Sequence, residues 1–504
     1  MVSFPRKRES SLAVFLDTRF RGYDSEFGAV KEEIGTGMTL NSSKTHWYLR
    51  FSAAISVPMS ETDILSVAQQ ALDTAKACGA DAADALVVDS VDLAVSQRLG
   101  IPEDTERAES SGLGLRVFVG HKSAIVSTTD LSKAALMEAC ERAVAMARAS
   151  LDDPYTMLAE SSVWAGEVAD LQLHDSHEPD IDWMREQCAR MEDTARSKAG
   201  ITNSQGADAQ ISRNRIALAT SAGFARRYES SSSSLSVTVL AGKGDKMERD
   251  YAYSMARHTA DLQDAHSIGE LAAQRALQRL NPKKVSTQQV PVIFDPRVGR
   301  SLLSSFASAI SGTSIARGTS FLKNRMGEEL FPQAISIIDD PHRLRGLGSK
   351  PFDAEGVKNG KRVIVEQGRL QSWLLDMRSA AQLGLHTTGH AVRGLGSAPY
   401  PSSTNLYIEA GGKSPQALIA EIENGFYVTD AFGSGVNIVT GDYSQGASGL
   451  WIENGQLSYA VSELTIAGNV CDMFATLQAA NDLHFETATN TPTLCVERMM
   501  VAGA

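Results

Sequence analysis

The stretch "GDYSQGASGLWIENGQLSYAVSELTIAGN", residues 441–469, decides the fold class of the last part of the chain. Asn454-Gly455 is a strong two-residue hairpin turn, because both residues tolerate the positive φ that such a turn requires. Trp451 and Tyr459 alternate with polar neighbours across that turn, so core and cross-strand packing explains them before ligand binding does. Working outward, "KRVIVEQGRLQSWLLD" and "STNLYIEAG" are strand-like, while "DPRVGRSLLSSFASAISG" and "SPQALIAEIENG" read as helices opened by a cap residue and proline. Residues 284–504 are therefore expected to form a β-rich domain, barrel-like or sandwich-like.

Upstream, the pattern mixes helices and strands. Ser60 with Asp63 suggests a helix amino-terminal cap, and Ile64, Val67, Ala68, Ala71, Leu72 and Ala75 repeat on one face. "DALVVDS", "VDLAVSQRLG", "GLGLRVFVG" and "KSAIVST" read as strands, the last two joined around Gly120, and a second helix starts after Asp130. These make an α+β domain over residues 59–150. After an acidic, irregular connector at 151–176, Asp180 caps a helix carrying Ile181, Met184, Cys188 and Met191 on one side. "AQISRNRIALATS", "GFARRYESS" and "SLSVTVLAGKGD" follow as strands, then a helix ended by Asn281-Pro282, giving a middle α+β domain over 151–283. The fold class is α+β. Residues 1–58 show no sustained period and read as a disordered extension. Part of it, "PRKRESSLAVFLDTRFRGYD", resembles a translated genomic repeat, so Met38 or Met59 is the expected start.

A formal charge of -12 gives no reason to expect direct nucleic-acid binding, which needs a basic face. No segment is long and apolar enough for a membrane span. Cys78, Cys140, Cys188, Cys471 and Cys495 are odd in number, widely spaced and without a C-x-x-C pair, which indicates neither a disulfide framework nor a structural zinc cluster and fits the cytoplasm. Those on apolar helix faces read as buried, inert thiols.

Small motifs carry little chemistry. His386 and His390 have the His-x-x-x-His spacing of a helical zinc site, but Thr387 stands where a water-activating glutamate belongs, and Thr387, Thr388 and Gly389 disfavour a helix. "LHDSHEPD", with His174, Asp175, His177 and Glu178, could ligate a metal in a tight turn, yet its polar setting before a cap reads as a solvated linker. "SGLGLRVFVG", "RGLGSKPFD" and "RGLGSAPYP" match no phosphate-loop spacing and read as turn glycines; Arg-Gly-Leu-Gly-Ser occurs at both 345–349 and 393–397. Ser230 to Ser234 lack a nucleophile elbow and suit a polar strand face or turn.

Four longer stretches say more: "GSKPFDAEGV" at 348–357, "SSTNLYIEAGGKSPQALIAEIENGFYVTD" at 402–430, "NIVTGDYSQGASGLWIENGQLSYAVSELTIAGN" at 437–469 and "PTLCVERMMVAG" near the end. In type and order they resemble the TldD/PmbA family of bacterial proteases, and the resemblance covers about residues 60–504. In that family's TldD branch, the helix after the strand equivalent to "VPVIFD" carries His-Glu-x-x-x-His, and a late cysteine completes a zinc site. At the equivalent places this chain has Ser304, Ser305 and Ala309, and neither Cys471 nor Cys495 lies in the expected loop. The resemblance thus implies the PmbA, or TldE, branch: no catalytic, cofactor-binding or metal residues in this chain, zinc in a TldD-type partner subunit and unfolded peptides as substrates; a homodimer of the chain alone and an obligate heterodimer both stay open. The peptides include peptide-antibiotic precursors and antitoxins, so peptide maturation is the implied process. The alternatives are a self-sufficient hydrolase using His386 and His390, and a regulatory protein linked to DNA gyrase.

Overall fold

The computed structural model describes residues 63–167 and 170–503. The extension at 1–58, the starts at Met38 or Met59 and the cap residue Ser60 lie outside the described residues. Helix α1 (Ile64–Ala77) is capped by Asp63, whose carboxylate accepts from Leu65 N at 3.2 Å. Four long strands follow among shorter elements: β1 (Ala82–Arg98), β2 (Ile101–Val119), β3 (Lys122–Thr128), α2 (Lys133–Ala149), α3 (Ile181–Arg196), β4 (Ile201–Thr220), β5 (Ala225–Ala241), β6 (Glu248–Ala256) and α4 (Ala265–Gln278). Helix α2 starts after Asp130 as expected, with Ser132 as its cap, and Asp130 accepts from Ser132 N at 2.9 Å. The pairs of short strands anticipated around residue 90 and residue 230 are each one continuous strand.

These strands form one antiparallel sheet in the order β3-β2-β1-β4-β5-β6, joined by β1 against β4 from Asp84↔Thr220 to Gln97↔Ala207. Alternation assigns its faces. Ala83, Ala85 and Val87 of β1 enter a core with α1 and α2, and Val95, of the same parity, enters a second core with α3 and α4. Both helix pairs therefore cover one face, at opposite ends. The other face presents Leu86 and Leu218 to Phe224, Phe352 and Ala165.

The carboxy-terminal part begins with β7 (Gln288–Phe294), α5 (Pro296–Ala309) and α6 (Gly312–Ala316). The helix expected through Gly312 stops at Ala309. Gly312 N donates to Leu374 O at 2.8 Å, and a Cβ there would stand 2.4 Å from Ser379 Oγ, so tertiary packing breaks the helix. Then come β8 (Ile337–Asp339), β9 (Arg362–Glu366), β10 (Arg369–Leu370), α7 (Met377–Leu383), β11 (Ala391–Val392), β12 (Tyr400–Pro401), β13 (Leu406–Ile408) and α8 (Pro415–Ala420). The chain ends with β14 (Asn424–Val436), β15 (Asp442–Glu453), β16 (Gln456–Asn469), α9 (Val470–Ala475), β17 (Gln478–Ala479), β18 (Thr489–Asn490) and β19 (Leu494–Ala502).

Strands β16, β15, β14, β7 and β19 pair in that order, and β19 returns to β16 at Thr465↔Ala502, closing a five-stranded barrel. Of the two shapes the sequence allowed, barrel and sandwich, the barrel is realised. The hairpin of β15 and β16 turns at Asn454 and Gly455, both at positive φ. Phe294, Phe426 and Val496 are fully buried in the core, and Trp451 lies 6.3 Å from Phe426, as cross-strand packing requires. A smaller sheet, β10-β9-β8-β13-β18, stands beside the barrel.

Candidate functional site

Helix α5 is placed by the barrel: Asp295 caps it, Pro296 opens it, and Val298, Leu302, Leu303 and Phe306 are buried. Phe306 meets Phe331 and Phe474 edge-on at 5.4 and 5.8 Å. The opposite side carries a hydroxyl seam. Ser301, Ser304 and Ser308 are exposed and Ser305 is half-buried. Each hydroxyl donates to a helix carbonyl: Ser301 to Val298, Ser304 to Arg300, Ser305 to Ser301 and Ser308 to Ser304, at 2.7 to 3.0 Å. Sequence reasoning singled out Ser304 and Ser305 but not Ser301 and Ser308, which recur at helical spacing on the same side. Ala309 is fully buried. Ser304 and Ala309 therefore do not converge on one point, and a methyl and back-bonded hydroxyls offer no donor set for a zinc ion.

The histidine pair separates. His386 is exposed, whereas His390 is buried with Nε2 3.1 Å from Asp339 Oδ2 and Nδ1 2.8 Å from the Thr388 hydroxyl. Asp339 also accepts from Thr404 N at 2.7 Å. Both ring nitrogens of His390 are thus committed to protein groups, and the ring fastens β8 to the loop before β11. Asp175 is no linker residue in solvent: it is buried and accepts from Thr259 N and His177 N at 2.8 and 2.9 Å, while Glu178 pairs with Arg213. Ser231, on strand β5, is buried and receives Asp175 N at 2.8 Å. Among the described residues, no three His, Cys, Asp or Glu side chains gather as a metal-ligand set.

What the sequence motifs do bring together is charge, at the contact between the long sheet and the carboxy-terminal part. Arg393 pairs with Asp84 of β1, and Asp84 accepts from Arg116 Nε at 2.7 Å. Arg116 also lies 3.7 Å from Glu355. Burial alone would raise the Asp84 carboxyl, but Arg116 and Arg393 outweigh it and hold it below the ordinary value. Burial pushes Glu355 up, reinforced by Asp353 and Asp376 and only partly offset by Arg116. Asp353 is likewise raised by burial, although Glu355 N, Val357 N and Ala391 N all donate to it.

The glycine runs fit the same contact. A Cβ on Gly114 of β2 would stand 2.2 Å from the Leu395 carbonyl oxygen, so this strand glycine admits the second Arg-Gly-Leu-Gly-Ser segment against the sheet. The first such segment does the equivalent at the sheet's other half: Arg345 pairs with Asp261 at 3.0 Å, and Arg257 donates to Leu347 O. Gly112 and Gly114, read as turn formers, are close-approach residues within β2, whereas Gly120, Gly346 and Gly394 do stand in turns, and the two copies are two anchors. An aromatic cluster completes the joint, with Phe352 5.2 Å from Phe224 and 5.4 Å from Tyr228.

A groove of about 250 Å³ lies between α4, α8 and the barrel, lined in part by Asp250, Arg275, Arg279, Arg297 and Tyr427. Asp250 accepts from Arg297 at 2.7 Å and Arg279 at 3.4 Å, Tyr427 donates to Asp295 at 3.1 Å, and Arg275 donates to Tyr251 O at 3.2 Å, while the buried Arg279 Nε and Arg297 Nε have no hydrogen-bond partner among the described residues.

Three family models match in succession: PmbA/TldA metallopeptidase domain 1 over residues 83–147, the central domain over 174–280 and the C-terminal domain over 287–503. The chain belongs to the PmbA/TldD family. A metalloprotease PmbA homologue of Haemophilus influenzae is 38% identical over 445 residues, spanning 88% of this chain and 97% of the relative. The metalloprotease PmbA of Escherichia coli O157:H7 is 36% identical over 84% and 92% of the two chains. Among solved structures, a Bacteroides thetaiotaomicron protein described as a modulator of DNA gyrase superposes with a TM-score of 0.81 at 28% identity, covering 87% of this chain and 98% of the other. TldE from Thermococcus kodakarensis gives 0.77 at 22% identity, covering 87% and 100%, and shares the fold. The family description is that of a metallopeptidase, but the α5 seam of this PmbA/TldD member does not fit a catalytic zinc ion.

Proposed function

We propose that this chain is the non-catalytic subunit of a two-subunit metalloprotease whose TldD-type partner supplies the zinc site. One observation carries the reading: the helix that would present the metal ligands shows outward serines whose hydroxyls are spent on their own helix carbonyls. The chain's task is then structural and recognitive, completing the particle and holding unfolded peptides such as peptide-antibiotic precursors or antitoxins for processing. An extended backbone suits such a task because strand pairing is indifferent to side-chain identity. The five free thiols support a cytoplasmic setting. No described helix is long and apolar enough to cross a membrane.

Mixing experiments test this. Cleavage of an unstructured peptide is expected only when the TldD-type chain is added, and replacing both His386 and His390 by alanine, assayed at a temperature where circular dichroism shows the variant folded, should leave the active site of the mixed enzyme intact. Cleavage by this chain alone that vanishes with those histidines would favour the self-sufficient hydrolase instead. A gyrase-linked role, suggested by the description of the Bacteroides relative, would require binding to gyrase or DNA, and the charge of -12 opposes the latter.

A further inference from the structure

Strand β2 has an open half. Strand β3 pairs with it from Leu113 to Val119, and β1 pairs with it from Ile101 to Phe118, so no described strand covers the outer edge of residues 101–112. Residues 101–110 are exposed throughout, with neither face buried. Hydrophobic burial therefore does not explain why these residues are extended. What holds them is backbone pairing to β1 and a clamp at the turn. Leu99 and Gly100, both at positive φ, donate to the buried Glu192 carboxylate of α3 at 2.7 and 2.8 Å, and Gln97 adds a third bond at 3.2 Å. Burial would raise Glu192, and these donors with Ser204 outweigh it, so the clamp is charged. Arg185 of α3 reaches the Thr105 hydroxyl at 3.3 Å.

The edge is also acidic. Glu103, Asp104, Glu106 and Glu109 share the run with one basic residue, Arg107, which is bound to Glu109 at 2.8 Å; alternation puts Glu103 and Glu109 on one face and Asp104 and Glu106 on the other. Glu103, Asp104 and Glu106 have no ion-pair partner among the described residues. Thr105 N–H meets the Asp104 carboxylate at 2.8 Å, a self-satisfied position on an otherwise unpaired run. Charged edges discourage indiscriminate pairing, and one sign of charge selects the opposite sign in whatever does pair. A second copy of this edge would bring carboxylates against carboxylates.

We propose that the outer edge of residues 101–112 binds a basic, extended polypeptide by adding it as a strand beside β2. In the account above this occupant is the unfolded substrate, so the proposal rests on that reading and narrows its substrate class to segments rich in lysine or arginine. Main-chain hydrogen bonds supply the register-tolerant part of the affinity, and the carboxylates supply the selection. The open run, at about 3.3 Å per residue, accommodates roughly a dozen residues of a partner.

The test uses the full-length chain alone, so its outcome does not depend on protease activity or on the partner. The probe is an unstructured peptide of about 12 residues alternating lysine or arginine with serine or threonine. Binding is expected, weakened about tenfold or more by the quadruple variant Glu103→Gln, Asp104→Asn, Glu106→Gln, Glu109→Gln and by raised salt. It should also be abolished by N-methylating alternate amides of the probe, which removes strand pairing but not charge. Equal binding by the variant, or equal binding of the methylated probe, overturns the proposal. So does an unliganded dimer that pairs through this edge and blocks the probe. If the probe binds as expected while the mixed enzyme fails to cleave, the edge stands and the protease reading falls.

Discussion

Replacing Asp84 by asparagine tests whether buried charge holds the carboxy-terminal domain to the long sheet. The substitution keeps the side chain's shape and removes the carboxylate between two guanidinium side chains that are only 8% and 2% exposed. Arg116 still has the Glu355 carboxyl at 3.7 Å, a group that can give up its proton once Asp84 is neutral, whereas the other described contact of the Arg393 guanidinium is the Gly114 carbonyl at 3.4 Å. Asp84→Asn therefore leaves Arg393 a buried cation without a counter-ion, at a cost of about 3–5 kcal/mol. Arg393→Met alone costs less, because Asp84 keeps Arg116. Adding Arg393→Met to Asp84→Asn removes the stranded charge and should restore about 1–3 kcal/mol. Urea midpoints followed by circular dichroism would rank the four proteins, with the slope checked for constancy because a chain of several domains need not unfold in two states. A double variant less stable than Asp84→Asn would refute the assigned pairing.

Three further outcomes are expected. Because Glu355 is raised in the folded chain, it retains a proton that the unfolded chain loses, so stability falls as pH rises from its ordinary value near 4.5 towards the folded one; Glu355→Gln should stabilise more at about pH 8 than at about pH 5, and a gain that shrinks with pH would contradict the cause given. Gly114→Ala places a methyl carbon against the Leu395 carbonyl and should lower the melting temperature sharply, while Gly120→Ala, whose added carbon meets nothing within 4 Å, should cost only its positive-φ strain of about 1–2 kcal/mol; equal losses would remove the close-approach argument. His390→Ala should destabilise the chain by removing one partner of the buried Asp339 carboxylate, which keeps Thr404 as its only described hydrogen-bond donor, and by emptying a buried site, whereas His386→Ala should change stability by less than about 0.5 kcal/mol in a thermal scan.

How far the sequence spoke depended on the range of the forces involved. Helix caps at Asp180, Asp295 and Ser414 and the Asn454-Gly455 turn are local, and they stand where the pattern put them. The polar half of β2 carried no alternation, since neither face is buried, and so went unread as a strand. Gly112 and Gly114 looked like turn glycines because the need for them comes from Leu395, far along the chain. The Arg-Gly-Leu-Gly-Ser recurrence was visible, but its meaning required knowing that two halves of one sheet each receive a copy. Asp175, expected in a polar connector, is buried because residues far along the chain supply its partners, as Asp339 does for His390.

Which chain owns the metal chemistry can be measured. Elemental analysis of the full-length chain, purified without its partner, paired with a peptidase assay on an unstructured peptide before and after adding the TldD-type subunit, addresses it directly. The account predicts zinc at trace level and no cleavage before the addition, then cleavage with zinc confined to the added chain. Stoichiometric zinc in this chain accompanied by cleavage on its own would contradict it.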